Sequence, residues 1–124
     1  MSERREIRVN ASLLPDGEPL LDFPTIAERL DVPVTHVVNL VKSHQLLAVK
    51  DEGVRKVPAV FFGEKGVNRF IPGLITVLSD GGYNDEEILR YLFTEDDSLP
   101  GRPVDALHGH LAREVMRRAQ GMAV

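Results

Sequence analysis

The feature that most constrains this chain is a pair of short amphipathic segments divided by a proline-containing break. In the second segment four valines recur at i, i+3, i+4 and i+7, which is the spacing of one helical face: Val34, Val37, Val38 and Val41. Pro33, in the break, cannot donate a backbone hydrogen bond but is tolerated in the first turn of a helix. The pattern therefore predicts two helices, over about residues 25–30 and 33–43, joined by a tight turn.

The outward face of the second predicted helix is rich in hydrogen-bonding side chains: Thr35, His36, Asn39, Lys42 and Ser43. Asparagine can bind adenine through two hydrogen bonds, histidine and threonine can donate to base edges or phosphates, and lysine can reach the DNA backbone. A buried stripe and a donor-rich face after a short turn are typical of a helix-turn-helix that enters the major groove. We expect the first three residues to enter the groove and the last two, with His44, to end near phosphates. The alternative is a face that is only solvated.

Two runs of β-favouring residues follow, at 46–50 and 57–62, and the segment between them contains Gly53, which suits a hairpin turn. Pro58 favours an edge strand because it cannot donate to a central ladder. A hairpin directly after a recognition helix is a wing. The basic residues predicted at its tip, facing a phosphate backbone, are Lys50, Arg55 and Lys56. A charged loop that only maintains solubility is the alternative.

The second half of the chain is predicted to be helical. Two successive glycines end the first of its helices, and Asn84 or Asp85 caps the second. An acidic loop containing Pro100 and Pro103 precedes the third. The predicted helices cover about residues 72–79, 86–93 and 104–122.

The predicted fold is mostly α with a small β-hairpin: a winged helix-turn-helix followed by a C-terminal three-helix unit packed on it. Residues 1–21 contain several turn-favouring residues and are expected to form a flexible N-terminal arm. The winged helix-turn-helix is assigned to residues 22–70 and the helical unit to residues 71–124.

The charge is distributed unevenly along the chain, whose net value is −4. Residues 22–70 contain seven Lys/Arg and six Asp/Glu, whereas residues 71–124 contain five and nine. The acidity is therefore concentrated away from the predicted helix-turn-helix. A local excess of one positive charge is nevertheless small for a DNA-binding domain, so we expect modest, salt-sensitive affinity for double-stranded DNA.

Catalytic and metal-binding patterns are not found. The chain has no cysteine, which excludes disulfides and thiolate metal sites and favours a cytoplasmic location. It also contains no phosphate-binding glycine loop, nucleophile elbow or dinucleotide fingerprint. His108 and His110 are two positions apart on a predicted helix and point in different directions, so they cannot share a metal ion. We predict a non-enzymatic protein without metal or cofactor.

No run of about 18 apolar residues is present, so no membrane span is expected. The first ten residues include charged side chains without the apolar segment of a secretory signal.

The segment FPTIAERLDVPVTHVVNLVKSHQLLAV (23–49) resembles the winged helix-turn-helix of excisionase-like and MerR-like proteins. A longer pattern is similar to an actinobacterial family of winged-helix DNA-binding proteins, whose mycobacterial member is a substrate of a membrane Ser/Thr protein kinase. That pattern comprises VPAVFF (57–62), IPGLITVLSDGGYNDEEILRYLF (71–93) and GRPVDALHGHLAREVMRRAQGMA (101–123). The resemblance covers about residues 20–124 and implies a DNA-binding N-terminal half and a helical C-terminal half.

The same resemblance implies a Ser/Thr protein kinase as a partner. In the kinase-regulated member the phosphoacceptor is a threonine in a longer N-terminal extension. Residues 1–21 of this chain contain no threonine, so Ser2 and Ser12 are the candidate acceptors here. A phosphate on either would add about two negative charges and oppose the approach of DNA.

Two functions remain open at this level. One is DNA binding in transcriptional regulation or nucleoid association, with homodimerisation through the exposed side of residues 104–122. The other is a protein-interaction module whose acidic C-terminal half binds a partner. ILRYLF (88–93) through GRPVDAL (101–107) resembles the toxin-binding domain of Xre-type antitoxins, which would make the protein antitoxin-like.

Overall fold

The N-terminal segment packs against the wing in the computed structural model, which describes residues 9–123. A 3₁₀ turn covers Ala11–Leu13, and the side chain of Leu14 is buried. The backbone N–H of Lys50 donates to the carbonyl of Val9, and strand β1, Leu20–Asp22, pairs with the wing. Residues 9–21 thus differ from the predicted flexible arm, because apolar burial and backbone pairing hold them in place; residues 1–8 lie outside the described residues.

Helices α1, Phe23–Leu30, and α2, Val34–Lys42, form the helix-turn-helix. Helix α1 begins two residues earlier than predicted because the carboxylate of Asp22 accepts the N–H of Thr25 at 2.9 Å and caps it. Its C-cap is Asp31, which adopts a left-handed conformation.

Strands β2, Val49–Asp51, and β3, Val54–Pro58, form the wing. Glu52 and Gly53 connect them as a two-residue turn in which both residues have positive φ, at 52° and 83°. Such a turn matches the twist of paired strands, which explains why the hairpin closes there and not across the six residues 51–56. Strand β1 pairs with the other side of β3, so Pro58 ends the central strand and does not lie on an edge strand as predicted.

A second, small hairpin links the two halves: β4, Phe62–Gly63, and β5, Gly66–Val67. Asn68 follows it and connects to the C-terminal unit, since its side-chain NH₂ donates to the carbonyl of Leu107 at 3.0 Å. Its side-chain oxygen accepts the N–H of Phe70 at 2.9 Å. The sequence patterning did not predict this second hairpin.

The C-terminal half contains four helices in place of the predicted three: α3, Ile71–Asp80; α4, Asp85–Phe93; α5, Pro103–Ala106; and α6, Ala112–Met122. Asn84 caps α4 reciprocally with Glu87. The predicted last helix is interrupted at residues 107–111, where Leu107 is buried and Gly109 has low helix propensity. Within residues 9–123, no helix combines the length and apolar character needed to cross a membrane.

One hydrophobic core extends through both halves of the described chain. Ile26 and Val37 are fully buried where α1 and α2 pack, and the rings of Phe61 and Phe93 lie 6.0 Å apart between the wing region and α4. Within residues 9–123, six α-helices and small antiparallel sheets confirm the predicted, mostly α fold class.

Candidate nucleic-acid interface

Helix α2 presents most of its surface to solvent. Val37 is completely buried, whereas Val38 and Val41 are half-buried. Val34 was predicted to lie inward with them but is 40% exposed. It is the first residue of the helix, about one turn before the contact that Val37 makes with the core.

Four of the predicted DNA-contacting side chains lie together on the exposed face of α2. Thr35, Asn39 and Lys42 follow one another at i, i+4 and i+7, and His36 lies beside them. Within residues 9–123, these four side chains form no hydrogen bond or ion pair with the rest of the chain. Their donors and acceptors are therefore available to a ligand.

Ser43 and His44 face a different direction. The hydroxyl of Ser43 donates back to the carbonyl of Asn39 at 2.8 Å. His44 has φ of 62°, and its Nε2 lies 3.6 Å from a carboxylate oxygen of Asp85 at the start of α4. The chain leaves α2 through this left-handed residue, which turns the imidazole towards the C-terminal half and away from the predicted phosphate contact.

Arg55 and Lys56 were predicted to lie at the tip of the wing, but the structure places them elsewhere. The tip is Glu52-Gly53, and both basic residues lie on strand β3. Arg55 is directly opposite Lys50 in the register, so these two share one face of the wing. The guanidinium of Arg55 also lies 4.6 Å from the centre of the Phe23 ring, which holds it near α1.

Lys56 is engaged within the wing itself. Its Nζ donates to the carboxylate of Asp51 at 2.9 Å, and this hydrogen bond raises the pKa of Lys56. Lys50, by contrast, is exposed. The wing therefore offers Lys50 and Arg55 as accessible cations, while the charge of Lys56 is balanced by its neighbour.

Two residues near this surface were missed by sequence reasoning. Val34 was assigned to the core, and Val54 was given no role, yet both are exposed. Their positions offered a clue, because Val34 directly follows the helix-initiating Pro33 and Val54 directly follows the turn glycine. Residues at such element boundaries have fewer neighbours to bury them.

Several carboxylates of the C-terminal half are engaged with arginines. Arg102 donates to both oxygens of Asp105, which lowers the pKa of Asp105, and it also pairs with Glu18. Arg118 and Arg117 hold the pKa of Glu114 below its usual value. Among residues 9–123, no group of three or more His, Asp or Glu side chains is arranged to hold a metal ion.

Two family models match the chain in succession. Residues 6–62 match the wHTH domain of the DNA-binding protein Rv2175c, and residues 69–123 match the Rv2175c C-terminal domain of unknown function. The DNA-binding protein Rv2175c of Mycobacterium tuberculosis (strain H37Rv) is 48% identical over 124 residues, covering 90% of this chain and 85% of that protein. The NMR structure of Rv2175c, at 45% identity, superimposes with a TM-score of 0.85 over 95% of this chain and 90% of the other.

Proposed function

The chain belongs to the Rv2175c family of winged helix-turn-helix proteins, and we propose on that basis that it binds double-stranded DNA. The observation that carries this proposal is the set of four exposed, unengaged polar side chains on α2: Thr35, His36, Asn39 and Lys42. In the proposed complex, α2 lies in the major groove and the wing contacts the adjacent backbone. The biological role is sequence-preferring binding in transcriptional regulation or nucleoid association. The match to a DNA-binding family supports a non-catalytic protein.

Each side chain has a distinct part in this mode. Asn39, near the middle of α2, is placed to bind adenine through two hydrogen bonds, with Thr35 and His36 donating to neighbouring base edges. Lys42, in the last turn of α2, contacts phosphate. Lys50 and Arg55 of the wing contact the phosphates of the flanking backbone.

Three phosphate contacts, from one lysine of α2 and two cations of the wing, predict a measurable salt dependence. Neutralising three phosphates gives a slope of log affinity against log salt of about −3. This slope is much smaller than that of strongly basic DNA-binding proteins, in keeping with the net charge of −4.

The experiment is a fluorescence-anisotropy titration of labelled duplex DNA at low and moderate salt. The wild-type protein should bind with the stated slope, and the double variant Asn39→Ala/Lys42→Ala should lose binding because it removes one base contact and one phosphate contact. Arg113→Ala is the matched control. Arg113 is exposed on α6, so this substitution also removes one positive charge, but away from the proposed interface. Failure of the wild-type protein to bind DNA even at low salt would favour the protein-interaction alternative.

We also propose that a Ser/Thr kinase regulates this binding through the N-terminal segment. Ser12 is exposed, and it lies two residues after Asn10, which forms a backbone bridge with Lys50 of the wing. A phosphate there would place negative charge beside a cation that contacts DNA. Ser2, the other candidate, lies outside the described residues. Treatment with an active kinase that leaves residues 1–21 unmodified would contradict this proposal.

Homodimerisation is proposed to depend on DNA. The outer face of α6, predicted as the dimer surface, is polar: Arg113, Arg117 and Gln120 are exposed, and Glu114 pairs with Arg117. Such a face has little apolar surface to bury against a second copy. Two copies on half-sites about one helical turn apart would gain affinity from the DNA geometry. Sedimentation velocity without and with a two-site duplex tests this, and a stable dimer of the free protein would contradict it.

A further inference from the structure

Two large apolar side chains are exposed within residues 9–123, and both lie on the winged helix-turn-helix. Val34 is 40% exposed at the start of α2, and Val54 is 46% exposed at the start of β3. A single exposed valine needs no explanation. Here, however, both exposed valines lie on the elements that are proposed to face DNA, and this coincidence needs an explanation.

The position of Val34 on α2 determines which part of the DNA it would contact. In a helix-turn-helix, the N-terminal residues of the second helix contact base edges. Val34 is the first residue of α2, next to Thr35 and about 12 Å along the helix axis from Lys42. It therefore lies at the end of α2 that reaches deepest into the groove, while Lys42 lies at the end that meets the backbone.

The chemistry of valine narrows the choice of base. Its side chain has no donor or acceptor, so it cannot pair with the polar edges of guanine, cytosine or adenine. The apolar group displayed in the major groove is the C5-methyl of thymine. Valine is also stiff at χ1, so holding its methyl groups against that target costs little side-chain entropy.

We propose that Val34 is a specificity-determining residue that packs against the C5-methyl of a thymine in the major groove. This inference rests on the proposed DNA binding and extends it, because it selects a T·A pair at one position of the target site. Val54 has no such partner. In the proposed complex the wing contacts the DNA backbone, whereas the thymine methyl is displayed in the major groove.

The test begins with selection of preferred sites from a random DNA pool by the full chain. Each thymine of the selected duplex is then replaced singly by deoxyuridine, which removes the C5-methyl and leaves the pairing edge intact. Affinity is measured by anisotropy. For the wild-type protein we expect a loss of about fourfold at one thymine per bound copy, the value of one buried methyl group.

Val34→Ser should bind thymine and deoxyuridine duplexes equally at that position, while keeping the salt dependence of the wild type. Val54→Ser is the matched control, because it changes a similarly exposed valine in the same way and should retain the discrimination. Both substitutions are on exposed side chains, so circular dichroism should show unchanged folding.

Several results would overturn the inference. They are equal affinity for thymine and deoxyuridine at every position of the wild-type site, discrimination that survives in Val34→Ser, or a selection that returns no preferred sequence. In the first two cases salt-dependent, sequence-preferring DNA binding persists and the proposed function stands. In the third case DNA binding persists, but its proposed sequence preference is contradicted as well. Absence of any binding at low salt would overturn both proposals together.

Discussion

The basic side chains of α2 and those of the C-terminal half are used in different ways. Lys42 of α2 is exposed, and its side chain forms no hydrogen bond or ion pair within residues 9–123. Arg102 and Arg118 each bind two carboxylates, and Arg102 also lies 5.1 Å from the centre of the Phe93 ring. Charge in the C-terminal half therefore holds the fold together, whereas charge on α2 is available for binding. A net charge alone does not distinguish these two uses.

The largest expected effect tests the structural use of charge. Arg102→Ala removes the partner of Glu18, whose side chain is only 8% exposed, and the guanidinium that packs on Phe93. We expect the free energy of unfolding to fall by about 3 kcal/mol, because a nearly buried carboxylate is left unpaired. Urea denaturation measures it.

The control for this change is Arg113→Ala, an exposed arginine of α6 whose loss should shift stability by at most about 0.5 kcal/mol. If the two variants were equally stable, Arg102 would have no structural role. The proposed difference between charge that stabilises the C-terminal half and charge that is available on α2 would then be contradicted. DNA affinity at a temperature where both variants are folded should match that of the wild type.

A smaller effect is expected within the wing, where free and paired cations are neighbours. Arg55→Ala should reduce the magnitude of the salt slope by about one unit, because it removes one phosphate contact. Lys56→Ala should change it little, since Lys56 is bonded to Asp51. The reverse change, Asp51→Asn, releases Lys56 and should strengthen DNA binding. Anisotropy titrations over a salt series measure all three.

An outcome in which Lys56→Ala weakens binding as much as Arg55→Ala would show that the Asp51 pair opens on DNA. All three cations of the wing would then contact DNA. In that case an ion pair in the free protein would not indicate whether a basic side chain is available to bind DNA.

The smallest expected effect is a loss of thermal stability at acidic pH. The pKa of Asp105 is lowered by hydrogen bonds from Arg102, and that of Glu114 by Arg118 and Arg117. A carboxylate with a lowered folded-state pKa stabilises the fold above its unfolded value, near 4, and this stabilisation is lost as the pH falls through the lowered value. Thermal midpoints should therefore decline from about pH 5 downward.

The double variant Asp105→Asn/Glu114→Gln should show a flatter decline, measured by thermal scans between about pH 5 and pH 2. Asp80→Asn, an exposed carboxylate change at the end of α3, is the control and should follow the wild type. A wild-type midpoint that did not change with acid would rule out a contribution from these pairs.

Much of the fold was predictable because its causes are local. The valine spacing and Pro33 predicted α2, and Asn84 was correctly one of two candidates to cap α4. Gly53 was correctly assigned to the hairpin turn, although the strands reach closer to it than predicted. These features depend on residues within about one turn of each other, which is the range over which helical periodicity, caps and tight turns operate.

The candidate site was predictable only in part. Thr35, His36, Asn39 and Lys42 share an exposed face because helical spacing alone determines that arrangement. The directions of His44 and Lys56 were not predictable, because each depends on a carboxylate supplied by another element or across the turn.

By itself, then, the sequence determined the two helices of the helix-turn-helix, the donor-rich face of α2 and the position of the wing turn. Only the tertiary structure decided that Leu20–Asp22 joins the wing as a third strand, that Glu18 pairs with Arg102, and that Val34 stays exposed. The physical reason is separation along the chain. Pairing between distant segments depends on which surfaces come into contact in the folded core. The spacing of residues along the chain does not determine which surfaces those are.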